Sequence, residues 1–190
     1  MTRWPQPLGQ LTTPDAWRER ATLDTELPWS DAVKNGVRDL LRHGGFKPNG
    51  RNKPCNEYIR AAVEKDRFPW INAAVDATNL AVLHGGLPVS TVDPDLLTEP
   101  LAVRIAPAGS SYVFNASGQT IDVSGLLCLH DAEGPCSNSV KDSQRAKTTD
   151  GSTRTLTLVW GTSVLPGRAD AVAGLHERWN RELGATTERL

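Results

Sequence analysis

The sequence predicts a single α+β domain, a largely antiparallel β-sheet or meander with packed helices. Three observations predict it. Helical apolar periods dominate the chain up to His84. Short β-rich runs separated by turn signals follow between Leu87 and Trp160. A final helical period closes the chain, and helices, then strands, then a helix is an α+β order. With 190 residues, a single domain can bury about 70% of the surface its unfolded form exposes.

The elements follow in order. Residues 1–28 read as an N-terminal arm broken by prolines. Thr13-Pro14-Asp15 supplies an N-cap and an acidic first turn for a short helix through Ala21. The domain proper spans residues 29–184, with a tail over 185–190. Ser30 caps a helix over Asp31–His43, with Val33, Val37, Leu40 and Leu41 on one face. Gly44-Gly45 ends it. Asn56–Lys65 is a second helix, with Tyr58, Ile59, Ala62 and Val63 turned inward. Ile71–His84 is a third, apolar on several sides and therefore buried, stopped by Gly85-Gly86. Strands are expected at Leu87–Val92, Leu101–Ile105, Tyr112–Phe114, Gln119–Val123, Leu126–Leu129 and Thr155–Trp160, and a closing helix at Ala169–Leu183.

Composition excludes several classes. Hydrophobic residues make up 38% and charged residues 23%, with a net charge of −1. Nucleic-acid contact therefore requires a local basic patch, since overall charge supplies no attraction. No apolar run is long enough for a membrane span or a signal peptide. Three cysteines, Cys55, Cys128 and Cys136, are too few and odd in number for a disulfide scaffold. The expected compartment is the cytoplasm. Cys128, His130 and Cys136 lack a fourth metal ligand, so no metal and no cofactor is expected.

Candidate site residues fall in three stretches. On the third helix, Asn72, Asp76 and Asn79 sit at i, i+4 and i+7, sharing a face. Buried polar groups need partners, so they either tie down neighbouring loop backbone or line a pocket. Between Leu40 and Asn56, Arg42, Lys47, Arg51 and Lys53 lie on a glycine-rich loop without any acidic residue. That pattern suits phosphate contact, or is simply a solvated loop. Ser137–Thr149 combines Lys141, Asp142, Ser143, Arg145, Lys147 and Thr148. It reads as a mobile surface loop or as a grip on a terminal adenosine, its phosphate or an aminoacyl ester. Arg104, within a strand, needs an exposed face or a partner.

Several separated blocks carry a family resemblance. Asp76-Ala77-Thr78-Asn79, Gly86-Leu87-Pro88 and Asp93 resemble the signature of the tRNA-editing domain of the phenylalanyl-tRNA synthetase beta subunit, the B-three/B-four domain. Gly44-Gly45-Phe46-Lys47-Pro48, Tyr112-Val113-Phe114-Asn115 and Val140-Lys141-Asp142-Ser143-Gln144 resemble its free-standing group. The likeness spans about Val37 to Leu183.

The resemblance implies hydrolysis of the ester joining a wrong amino acid to tRNA. That chemistry needs a placed water, donors for the oxyanion and a grip on the terminal adenosine, without metal or covalent nucleophile. It implies catalytic roles among Thr78, Asn79, Asp76, Ser90, Lys141, Asp142 and Ser143. Substrate contacts are expected from Asn72, Arg104, Asn115, Lys147, Thr148 and Trp160, and RNA contacts from Arg42, Lys47, Arg51, Lys53 and Arg145. Two positions depart from the family. Ser90 stands where bacterial synthetases carry histidine, and Trp160 stands at the equivalent of a glutamate in a Leu-Glu-Ser-Ala strand. The expected partner is the aminoacylated 3′ end of tRNA, with a synthetase as a further partner, and neither membrane nor DNA. Two other functions fit the same residues: a non-catalytic tRNA-binding module, or a small-molecule hydrolase or binder using the same pocket.

Overall fold

A computed structural model describes all 190 residues. Its four α-helices are α1 (Asp31–Arg42), α2 (Cys55–Val63), α3 (Ala73–Gly85) and α4 (Arg168–Glu182). The Ser30 hydroxyl accepts the Val33 N–H at 3.3 Å and starts α1 as the sequence predicts. The start of α3 differs. Asn72 is extended (φ −155°, ψ 164°), and its side chain accepts the Val75 N–H at 3.0 Å. It is the N-cap, so Ile71 lies outside the helix and is 68% exposed. Gly86 then ends α3 at φ +72°, a conformation glycine adopts without strain. The early helix is a 3₁₀ segment, Asp15–Arg20. Thr13 does not cap it; its hydroxyl is bonded to Asp76 instead.

Nine strands form three sheets, and every pairing is antiparallel. The strands are β1 (Thr2–Arg3), β2 (Val89–Val92), β3 (Ala102–Ile105), β4 (Ser111–Val113), β5 (Thr120–Asp122), β6 (Leu127–Asp131), β7 (Gly134–Asn138), β8 (Arg154–Val159) and β9 (Thr186–Thr187). The sheet orders are β2-β8-β1-β9, β3-β6-β7 and β4-β5. One sheet over Leu101–Trp160 was the expectation, and it is corrected to three.

The arm and the tail are corrected too. Thr2 pairs with both Thr155 and Thr187, so both chain ends belong to the largest sheet. Two-residue strands carry no readable alternation, which is why sequence alone left them outside the domain. β7 was hidden by Gly134-Pro135, a turn signal. Proline is tolerated there because β7 lies at the edge of its sheet and meets β6 at a register shift.

α3 is the centre of packing. Val82 and Leu83 enter the largest apolar cluster, with Val37, Leu41, Ile59 and Val172. Ala77, Leu80 and Ala81 pack with Trp17, Leu175 and Trp179. Ala74 meets Trp4, Leu8 and Ala185 from the chain ends. Small residues let α4 approach closely: a Cβ at Gly85 would collide with the Val172 side chain. Gly85→Ala is expected to lower unfolding free energy by about 1–3 kcal/mol through overpacking, read as a shift in urea midpoint at unchanged slope.

Candidate functional site

The polar groups of α3 separate into structural and accessible ones. Asp76 is buried, and its carboxylate accepts the Thr13 hydroxyl and the Ile71 N–H at 2.7 Å. Burial pushes its carboxyl above the usual range, with the Thr13 and Ile71 bonds opposing. Thr78 donates to the Ala74 carbonyl at 2.9 Å and lies 2.7 Å from the Thr91 hydroxyl and 3.2 Å from His176 Nε2. The cluster continues through Asn180 to Thr2 and joins α3, α4, β2 and β1. Asn72, Asp76 and Thr78 therefore hold the fold together. Asn79 alone borders open space, and its Nδ2 donates to the Pro69 carbonyl at 3.1 Å.

That space is a cleft of about 1020 Å³. One wall is α2 with Cys55, Tyr58 and Arg60, and the preceding 3₁₀ turn with Arg51 and Lys53. The other is formed by Phe114, Asn115 and Gln119 of the β4-β5 hairpin and by Lys141, Asp142 and Lys147. Ile71 and Asn79 close it from the α3 side. Tyr58 is a correction: it is 65% exposed and faces the cleft, while Ile59 carries the inward face of α2. The two are about 100° apart on the helix.

The Ser137–Thr149 segment is tied to its neighbours by side-chain hydrogen bonds. Asn138 Oδ1 accepts the N–H groups of Val140, at 2.7 Å, and Lys141, at 3.0 Å. Its Nδ2 donates to the Tyr112 hydroxyl, which donates to the Lys141 carbonyl at 2.5 Å. This fixes Lys141 and Asp142 at the cleft. Lys141 Nζ sits 4.1 Å from the Phe114 ring centroid, and Lys147 Nζ donates to the Phe114 carbonyl. Burial pushes the Asp142 carboxyl up, opposed by the Asn138 N–H that it accepts. Burial also pushes the Cys55 thiol up to about 12, which disfavours the thiolate.

Other candidates lie outside the cleft. Ser90 is buried, donates to the Asn138 carbonyl at 2.9 Å and accepts from Trp160 Nε1 at 2.9 Å. Trp160 packs with Val92, Leu129, Cys136 and Ala146, so it does not shape the cleft. Ser143 is buried, with its N–H on the Cys136 carbonyl. Arg145 donates to both Asp131 oxygens at 2.6 Å and holds that carboxyl at about 2, which removes it from the free cations. Arg42 pairs with Asp39, and exposed Lys47 and half-buried Thr148 do not line the cleft. Arg104 is exposed on β3, away from it. No helix is long and apolar enough to cross a membrane.

Set against known proteins, the chain matches no described family and no curated sequence.

The buried cluster carries a pH dependence. Burial pushes His176 down to about 4 from its ordinary 6.5. The unfolded chain therefore takes up the proton first as pH falls. The stabilisation is fully present above about pH 6.5 and is lost toward about pH 4, amounting to about 3 kcal/mol. His176→Gln is expected to flatten the fall of urea midpoint between those pH values. An unchanged fall would show that another group titrates there.

Proposed function

We propose that the chain is a free-standing relative of the B-three/B-four editing domain, which binds the aminoacylated 3′ end of tRNA and hydrolyses the ester of a mischarged amino acid. One observation carries this reading. Three separated blocks of the resemblance meet at one cleft, through Asn79, through Phe114 and Asn115, and through Val140, Lys141 and Asp142. What supports the reading is that these are polar and charged side chains facing a shared open cleft, where packing alone does not require them.

The roles follow from the side chains. Asp142, with its raised carboxyl, is the group suited to accept a proton from an attacking water. Asn79 Nδ2 uses one N–H on Pro69 and has a second for the developing oxyanion. Lys147 stabilises the same negative charge. Asn115 and Tyr58 contact the adenosine, Tyr58 by stacking. Arg51 and Lys53 supply attraction to the RNA backbone that a net charge of −1 does not.

A second reading has its own support. Ser90 and Trp160 stand where the synthetase domains carry polar groups, and here they are sealed in a buried hydrogen bond. That favours a tRNA-binding module that does not hydrolyse.

A panel of mischarged tRNAs separates the two. Ester hydrolysis is expected for at least one tRNA, reduced about 100-fold by Asp142→Asn with tRNA affinity retained. Asn79→Ala is expected to lower hydrolysis by about 1–3 kcal/mol per folded molecule, with folding measured separately. Binding without hydrolysis selects the module, and neither binding nor hydrolysis refutes both readings.

A further inference from the structure

A smaller cavity of about 440 Å³ adjoins the cleft and shares Arg51, Phe114, Gln119 and Lys141 with it. Its remaining lining is the β4-β5 hairpin from Gly118 to Asp122, with Asn52. Arg51 and Lys141 enter it from opposite sides in sequence, one from the 3₁₀ turn before α2, the other from the segment fixed by Asn138 and Tyr112. Neither has a carboxylate within 4 Å, and the same holds for neighbouring Lys147. Four carboxylates line the two cavities, and of these Glu57 pairs with Arg38 and Glu64 with Arg60. Asp122, at the cavity, accepts the Ser124 N–H at 2.8 Å, and Asp142, in the cleft, accepts the Asn138 N–H.

Nine of the 21 lysines and arginines hold a carboxylate within 4 Å, and Arg51, Lys141 and Lys147 are not among them. Here three cations are gathered without one. Burial pushes the Lys141 ammonium down, and Arg51 and Lys147 push it further. Holding like charges together costs free energy that an arriving anion offsets.

We propose that the smaller cavity is a phosphate subsite, in which Arg51 and Lys141 grip a phosphate mono- or diester group of a ligand whose remainder lies in the cleft. A planar guanidinium and an ammonium on a restrained stem suit tetrahedral phosphate oxygens. The phosphate has two sources: a phosphodiester of the tRNA end, which rests on the reading above, or the monoester of a small nucleotide, which does not.

The test uses the full chain and its Arg51→Gln and Lys141→Gln variants. The probes are a labelled single-stranded cytidine-cytidine-adenosine trinucleotide, its uncharged methylphosphonate analogue, and adenosine monophosphate. Arg51→Gln is the cleaner variant, because Lys141 also packs on Phe114. Circular dichroism and thermal midpoint check that both variants fold. Each substitution is expected to weaken trinucleotide binding about tenfold and reduce the slope of log affinity against log salt by about 0.7. Binding of the methylphosphonate analogue is expected to be unchanged. If adenosine monophosphate alone binds, in an Arg51-dependent way, the subsite stands and RNA is not its source. If the trinucleotide binds both variants as tightly as it binds the unsubstituted chain, the subsite is refuted while the RNA reading survives. If neither probe binds, the subsite is refuted.

Discussion

A helix buried on nearly every side must have its polar groups satisfied by the protein around it. α3 imposes that condition on the whole chain. Asn72 closes the helix start, Asp76 is met by Thr13, and Thr78 is met by Thr91 and His176. Each partner comes from a different element, so the N-terminal segment, β2 and α4 are all fixed by α3. The same condition explains why both chain ends return to the sheet. Ala74 is covered only because Trp4, Leu8 and Ala185 pack on it. Leaving any of these buried groups unpaired costs about 1–3 kcal/mol, comparable with a sizeable part of a domain's net stability.

The larger cleft opens where α3 is left uncovered. Asn79 sits at that margin, opposite a segment built with unusual restraint. One side chain, Asn138, accepts two backbone N–H groups and donates to Tyr112, and Tyr112 donates onward to the Lys141 carbonyl. The result is a polar loop with fixed backbone that presents lysines and a carboxyl to a cleft. The restraint lowers the ordering cost of binding. It also holds positive charges near each other before any ligand arrives.

The sequence made the helices legible because each shows its own apolar period and cap or stop. The shared face of Asn72, Asp76 and Asn79 was legible as spacing, but not its use. Asn72 leaves the helix as its cap, and the partner of Asp76 lies at Thr13, a contact no local pattern reveals. Tyr58 stands next to Ile59 at the edge of an apolar stripe, and only packing decides which turns inward. Arg145 looked like a free cation until β6 placed Asp131 beside it. Ser90 and Trp160 each stood out in the sequence, yet their mutual hydrogen bond needs β2 and β8 in register. Lys141, Asp142 and Asn115, which line the cleft, were picked out beforehand because the resemblance singled out their blocks. Phe114, which orients two lysines, was marked only as part of such a block.

The central claim is that the cleft between α2, the β4-β5 hairpin and the Val140–Lys147 segment receives a tRNA end. Amide hydrogen exchange of the full chain with and without tRNA tests it most directly. Added protection at residues 50–53, 114–119 and 140–147, with α4 unchanged, is the expected result. Protection confined to other surfaces, or none at saturating tRNA, would contradict it.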